Sequence, residues 1–232
     1  MLVFSSIMIG CVDATPIVEG TQTAIPEISI TPTETTTPSE SPTDQVGIQP
    51  LAADGSSFYY YADGNRIQLT PSLNWVSMKF TSDDPTEQST ALQNYDAMVG
   101  PLEKARKIPN PKLTLLPLRG GVSIQTLVHG IISLRANTAS FLQVNPVFQT
   151  DDAEMVITNE FIATFPAGKS MAEIDAINSS YDVKIVEPIL GQGNTFVLQV
   201  LPSAKVDSLS MANLYQESGA AINAAPNFIR IK

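Results

Sequence analysis

The 232-residue sequence holds a single cysteine, Cys11, and a single histidine, His129. One thiol excludes an internal disulfide. One thiol and one imidazole also fall short of the three or four N/S ligands of a usual zinc site. Cations are scarce: 13 Lys and Arg stand against 23 Asp and Glu, for a formal net charge of −10. Binding nucleic acid needs concentrated Lys and Arg to neutralise phosphates, so no nucleic-acid partner is expected. The acidic pairs Asp83-Asp84 and Asp151-Asp152 lack the spaced ligands of an EF-hand loop and read as solvated turns. No metal and no cofactor is expected. A long hydrophobic run is missing too. The apolar start, "MLVFSSIMIGC" (residues 1–11), is well short of the ~20 residues that span a bilayer.

That start resembles the tail of a bacterial export signal ending in a lipobox, with Gly10 before Cys11. A start codon assigned too far downstream accounts for the absence of Lys or Arg ahead of the run. Cys11 is then the lipidation candidate, and the expectation is an exported, extracellular or cell-surface protein attached to the membrane through that residue. "TPTETTTPSESPTDQ" (residues 31–45) is rich in Thr, Pro, Ser and Glu, with little to bury. Residues 12–57 are therefore expected to form a disordered, extended spacer between anchor and folded part.

From Phe58 the pattern changes. "FYYYADGNRIQL" flanks Asp63-Gly64 with aromatic and β-branched residues, a hairpin signal. "NWVSMKF" alternates, with Val76, Met78 and Phe80 on one strand face. Asp84-Pro85 opens a helix, with Asp84 as N-cap, Pro85 in the first turn and Glu87 completing a capping box. Leu92, Tyr95 and Val99 mark its apolar side, and Gly100-Pro101 ends it. "KLTLLPL" reads as a strand, "SIQTLVHGIISLRAN" as a helix striped by Ile124, Leu127, Val128 and Ile131, and "FLQVNPVFQ" as a strand.

The second half gives β-α-β-β-α-β. Its elements are "EFIATF", a helix from Met171 to Tyr181 burying Met171, Ile174 and Ile177, "VKIVEPI", "TFVLQVL", a helix striped by Val206, Leu209 and Ala212, and a last strand in "AAINAAPNFIRI". This is the ferredoxin-like arrangement of two helices on one face of an antiparallel sheet. Pro146-Val147-Phe148 and Pro226-Asn227-Phe228 echo each other in the two closing strands. The expectation is an α+β chain of tandem ferredoxin-like units, residues 58–153 and 154–232. The first unit lacks a clear strand between Leu118 and Ser123, a gap its early hairpin is expected to fill.

"FPAGKSMAEID" (residues 165–175) admits three functional readings. A phosphate-binding loop needs a glycine five positions before Gly168, where Ala163 stands inside a strand, and Pro166 removes a backbone N–H. "GKSMA" is one letter from the "GTSMA" around the nucleophile of subtilisin-like proteases. Ser170, however, would need a base and an orienting carboxylate, and His129, the sole candidate base, has no Asp-Thr-Gly or Asp-Ser-Gly upstream. The third reading stands: Ser170 and Glu173 form a helix-capping box. No catalytic residue is expected, and an enzyme using His129 is the weakest of the functional readings.

From about Phe58 onward the chain resembles the N-terminal prodomain of secreted subtilisin-like proteases, of the fervidolysin-like type. The resemblance is carried by "FYYYADGNRIQLTPSLNWVSMKF", "NEFIATFPAGKSMAEIDAIN", "GNTFVLQV" and "AAINAAPNFIR". The last stretch looks like the "AEPN" segment of such prodomains, with Ala224 where Glu is common. The resemblance implies a non-catalytic module that assists folding of its protease and inhibits it. Its sheet would dock on two helices of the protease domain, and its C-terminal tail would lie in the active-site cleft. Ala225, Pro226, Asn227, Phe228, Ile229 and Arg230 are the implied tail contacts. The family continues into a catalytic domain that this sequence does not include, so the protease partner is expected in cis of a longer precursor or in trans. The alternative is a surface-displayed binding or adhesion module without a protease.

Overall fold

The computed structural model describes residues 51–231. Expectations about the export signal, Cys11 and residues 12–50 lie outside the described residues. The described chain begins at Leu51, whose side chain packs against two of the hydrophobic clusters, so residues 51–57 belong to the folded part rather than to the spacer.

The elements follow in chain order: β1 (Tyr59–Ala62), β2 (Asn65–Gln68), β3 (Thr70–Phe80), α1 (Pro85–Leu92), β4 (Arg106–Ile108), β5 (Leu113–Pro117), α2 (Ile124–Ala136), β6 (Phe141–Gln149), β7 (Glu154–Thr164), α3 (Met171–Ser180), β8 (Val183–Pro188), β9 (Thr195–Val200), α4 (Ser208–Glu217) and β10 (Asn223–Ile231). The architecture is α+β, with antiparallel strand pairing throughout the described residues. β1 and β2 form a separate hairpin through Asp63 (φ 50) and Gly64 (φ 76), both in the left-handed region that a two-residue turn demands.

The other eight strands make one sheet in the order β4-β5-β3-β6-β7-β9-β8, with β10 also on β7. Each half runs β-α-β-β-α-β, and each sets its four strands in the same spatial order: second, third, first, fourth. β7 joins the halves. Its residues 154–156 pair with β6 and its residues 160–164 with β9, while β10 follows both segments.

The missing strand of the first half is β4, which pairs with β5 over residues 106–108. It precedes "KLTLLPL" and does not lie between Leu118 and Ser123, and the early hairpin does not replace it. The first helix is also shorter than its apolar residues suggest. It ends at Leu92 and tightens into a 3-10 turn at Gln93–Tyr95, and Val99 bridges to Leu118. Asp84 caps α1 and Pro85 takes its first turn as expected, but the Asp84 N–H donates to Ser82 Oγ (3.1 Å) rather than to Glu87. A nearer hydroxyl replaces the reciprocal half of the box.

The helices cover one sheet face through three clusters. Leu127, Ile131 and Leu134 of α2 meet Val76, Met78, Leu116 and Val144. Ile174 of α3 and Met211, Ala212 and Tyr215 of α4 meet Phe161, Ala163 and Leu198. Phe58 fills the place between α2 and α4 with Val128, Phe148, Ile157 and Leu209. Met171 is 49% exposed, contrary to expectation, because it opens the first turn of α3 while Ile174 turns inward.

A fourth cluster lies on the opposite face. Leu113, Leu115, Val147 and Val156 are at most 1% exposed and pack with Trp75, Ile108, Ile229 and Ile231. Among the described residues strands alone supply this cluster, so the sheet curls around it.

Candidate functional site

The residues singled out by sequence separate into a cap, a packing position, an edge strand and a bare sheet face. Ser170 is the cap. Its Oγ accepts the Glu173 N–H (3.4 Å), and Glu173 Oε2 accepts both the Ser170 N–H (2.8 Å) and its hydroxyl (2.7 Å). These donors hold the Glu173 carboxyl below its ordinary range, the Ser170 hydroxyl contributing most. The serine hydroxyl is committed to a carboxylate three residues on and has no imidazole beside it.

His129 lies exposed on α2 and makes no hydrogen bond or ion pair among the described residues. The glycine that follows it has a packing reason. A Cβ on Gly130 would stand 1.9 Å from Met98 Sδ, so Met98, 5% exposed, passes directly over the helix there. Among the described residues no group of three or more His, Cys, Asp or Glu could hold a metal. Asp84 is occupied as a cap, and Asp152 is paired with Arg230.

The segment implied as a protease-contacting tail is β10. It is extended, as expected, but it does not leave the domain. Asn223 to Ile231 pair with Thr164 to Glu154 along β7, with a bulge between Pro226 and Phe228. Ala225 sits opposite Ile162 and Pro226 opposite Phe161. Asn227 donates to Glu160 Oε2 (3.2 Å) and accepts from Thr158 Oγ1 (2.9 Å). Phe228 stacks edge-on with Tyr60 and Phe148, Ile229 joins the cluster on the curled face, and Arg230 pairs with Asp152. The physical reason is burial: apolar side chains at 226, 228 and 229 gain more inside the sheet than in solvent. The outer edge of β10 is blunted as well. Gln216 Oε1 takes the Ala224 N–H (3.0 Å), and Pro226 has no N–H.

The surface with room for a partner is the second half's sheet face away from α3 and α4. Strand alternation places Phe161, Ala163 and Leu198 inward and Ile162, Thr164, Val197 and Gln199 outward. The register sets Ala225, Ile162, Val197 and Glu187 in one row across four strands, with Glu160, Gln199 and Lys184 in the next. Ile162 is 36% exposed, and Val197 and Ala225 are half-buried. Three apolar side chains in a row that ends at Glu187, beside a row with Glu160 and Lys184, can bind by burial. The sequence pattern already contained this face as the outward phase of "EFIATF" and "TFVLQV".

A polar cluster that sequence reasoning missed holds the hairpin to α4. Tyr59 and Tyr61 both donate to Glu217 Oε1, at 2.6 and 3.0 Å, and the Arg66 guanidinium lies 3.6 Å over the Tyr59 ring. Burial, then Glu217, push the Tyr59 phenol up to about 12, so it stays protonated at neutral pH and serves as a tether. No family model matches the chain, and no curated protein matches it either.

Proposed function

We propose that the chain is a non-catalytic propeptide-type module, a folding chaperone and inhibitor of a subtilisin-like serine protease, built from two ferredoxin-like units. The observation that carries this reading is the second half, whose four strands and two helices leave one sheet face bare along Ala225, Ile162 and Val197. That surface suits docking on helices of a protease domain. The same strand order in the first half supports a tandem. The sheet face, the larger contact, is the main source of affinity, and the tail contact is given up because β10 is held along β7. The protease partner acts in cis of a longer precursor or in trans, and the chain itself performs no catalysis. Export and lipid attachment at Cys11 belong to the same proposal. They are checked by palmitate labelling of cells expressing the gene with its upstream start, with loss of label in Cys11→Ala as the expected result.

The direct test is inhibition of the mature subtilisin-like protease of the same organism. The chain is expected to inhibit it. Ile162→Asp is expected to lower that inhibition at least tenfold while the circular dichroism spectrum stays unchanged. A folded wild-type chain that neither binds nor inhibits the protease would refute the proposal. The second reading, a surface-displayed binding module, is favoured by one observation. β10 is integrated and its edge blunted, which suits a stable adhesive face better than a segment that enters a cleft.

A further inference from the structure

Where β6 leaves β7, the sheet divides and a cleft opens between the two halves, with a volume of about 410 Å³. That lies inside the roughly 300–1,000 Å³ range of ligand sites. One wall is β6, with Leu142 45% exposed and Val144 near it. The other is the end of β9 and its link to α4, with Val200, Leu201 and Val206. The main chain along these walls is already engaged. Val144 O accepts from Arg135 Nε (2.7 Å), and Pro146 has no N–H. Ile157 O accepts from the Gln143 and Asn145 amides (3.3 and 3.5 Å), and Thr158 O from the Ser208 hydroxyl (2.8 Å). The cleft therefore offers a ligand its side chains, not a strand edge.

In a chain of net charge −10 the charged lining is mainly cationic: Lys79, Arg135 and Lys205 stand against one carboxylate, Asp207. Asp207 Oδ1 caps α4 through the Ser210 N–H (2.6 Å), and Oδ2 meets Arg135 Nη2 at 2.5 Å, so this pair neutralises itself. Two ammonium groups are left. Lys79 is half-buried on β3, in register with Gln143 of β6, and Lys205 closes the 3-10 turn Pro202–Ala204 with φ 57. Neither side chain makes a hydrogen bond or ion pair among the described residues. Aliphatic walls with a few convergent charges of one sign match a ligand with an apolar body and an anionic head. Burial of the body supplies affinity, and the lysines select the sign of the head.

We propose that this cleft binds a small aliphatic carboxylate, its chain against Leu142, Val200 and Val206 and its head against Lys79 and Lys205. The proposal concerns a surface other than the bare sheet face and is independent of the protease reading.

The test is isothermal titration calorimetry of the full chain with octanoate. Saturable binding of one molecule per chain is expected, and it should weaken as salt is raised. Each buried methylene is worth about fourfold in affinity, so butyrate, four methylenes shorter, should bind at least tenfold more weakly. The double variant Lys79→Met/Lys205→Met should weaken octanoate at least fivefold with an unchanged circular dichroism spectrum. Leu142→Asp sets a carboxylate in the exposed wall and should weaken it tenfold or more, again without loss of fold. No saturable binding, several molecules bound per chain, equal affinity for butyrate, or equal affinity of either variant would each overturn the proposal. Since no protease is present, failure here leaves the inhibitor reading untouched.

Discussion

Val156 and Ile162 stand six residues apart on β7, and both point away from the helices. Yet Val156 is 0% exposed and Ile162 is 36% exposed. The first lies where the sheet curls and Val147, Leu113, Leu115 and Ile229 close around it. The second lies where β9 and β8 extend the sheet and leave its outer face bare. One strand thus contributes to a closed core and to an open surface. Two halves with the same strand order need not offer the same surface: the sheet face away from the helices is closed around Val156 and open at Ile162.

The sharpest break of that comparison is a charge on each side of it. Val156→Asp would bury a carboxylate among apolar side chains and should destabilise by more than about 4 kcal/mol, leaving little folded protein. Ile162→Asp should cost within about 1 kcal/mol, because water reaches the site. Urea denaturation of the two variants reads the difference directly. Equal losses would mean that the second face is covered too. Removing residues 227–232 tests the same boundary from β10. The deletion takes Phe228, Ile229 and Ile231 from their clusters and should unfold the protein by circular dichroism, so inhibition and binding fall together. A folded truncation would restore the idea of a separable tail.

Arg135 ties the halves together, and breaking that tie is next in size. The Asp207 side chain is 2% exposed and that of Arg135 18%. Arg135→Ala leaves a buried carboxylate without its partner and should cost about 3–5 kcal/mol. Asp207→Asn added to it should recover part of the loss, which a double-mutant cycle measures. Gly130→Ala in α2 comes next. An exposed helix position would gain about 1 kcal/mol from alanine. Here Met98 occupies the space of the new methyl group, so the expected sign is reversed, with a loss of about 1–3 kcal/mol.

Much of this fold was legible in the sequence because alternation and caps are local signals. The second half keeps the expected order of elements, down to the Ser170 box, although Val206 precedes the Asp207 cap of α4 instead of striping the helix and Met171 is exposed. What could not be read was either short or non-local. β4 is three residues, two of them cationic, and it is a strand because β5 pairs with it. Its residues Arg106 and Lys107 lie over Trp75 and Phe80, contacts made across the sheet. The consecutive apolar residues of "KLTLLPL" do carry a trace of the closed face, since a strand buried on both sides loses its alternation. The partner of Arg135, 72 residues away, left no such trace. The cleft beside it follows from where β6 and β9 leave β7, and sequence spacing does not encode that.

The smallest effect concerns the cap of α3, on the helix layer of the open half. Ser170→Ala removes the acceptor of the Glu173 N–H and one donor to the Glu173 carboxylate. Such a loss costs about 1 kcal/mol in typical hosts. The Glu173 carboxyl is lowered from 4.5 in the folded state, so its contribution is present above the unfolded-state value and is lost as pH falls through the folded one. The gap in stability between wild type and Ser170→Ala should therefore be full at pH 7 and narrow as pH drops below about 4.5. Urea midpoints at pH 7 and at pH 3 measure it. Because Ser170 is exposed and separated in sequence from the Ile162 row, partner inhibition at neutral pH should stay unchanged in the variant. Labelling of Ser170 by a fluorophosphonate, or loss of inhibition with full stability retained, would instead make the serine a functional group and the capping account wrong.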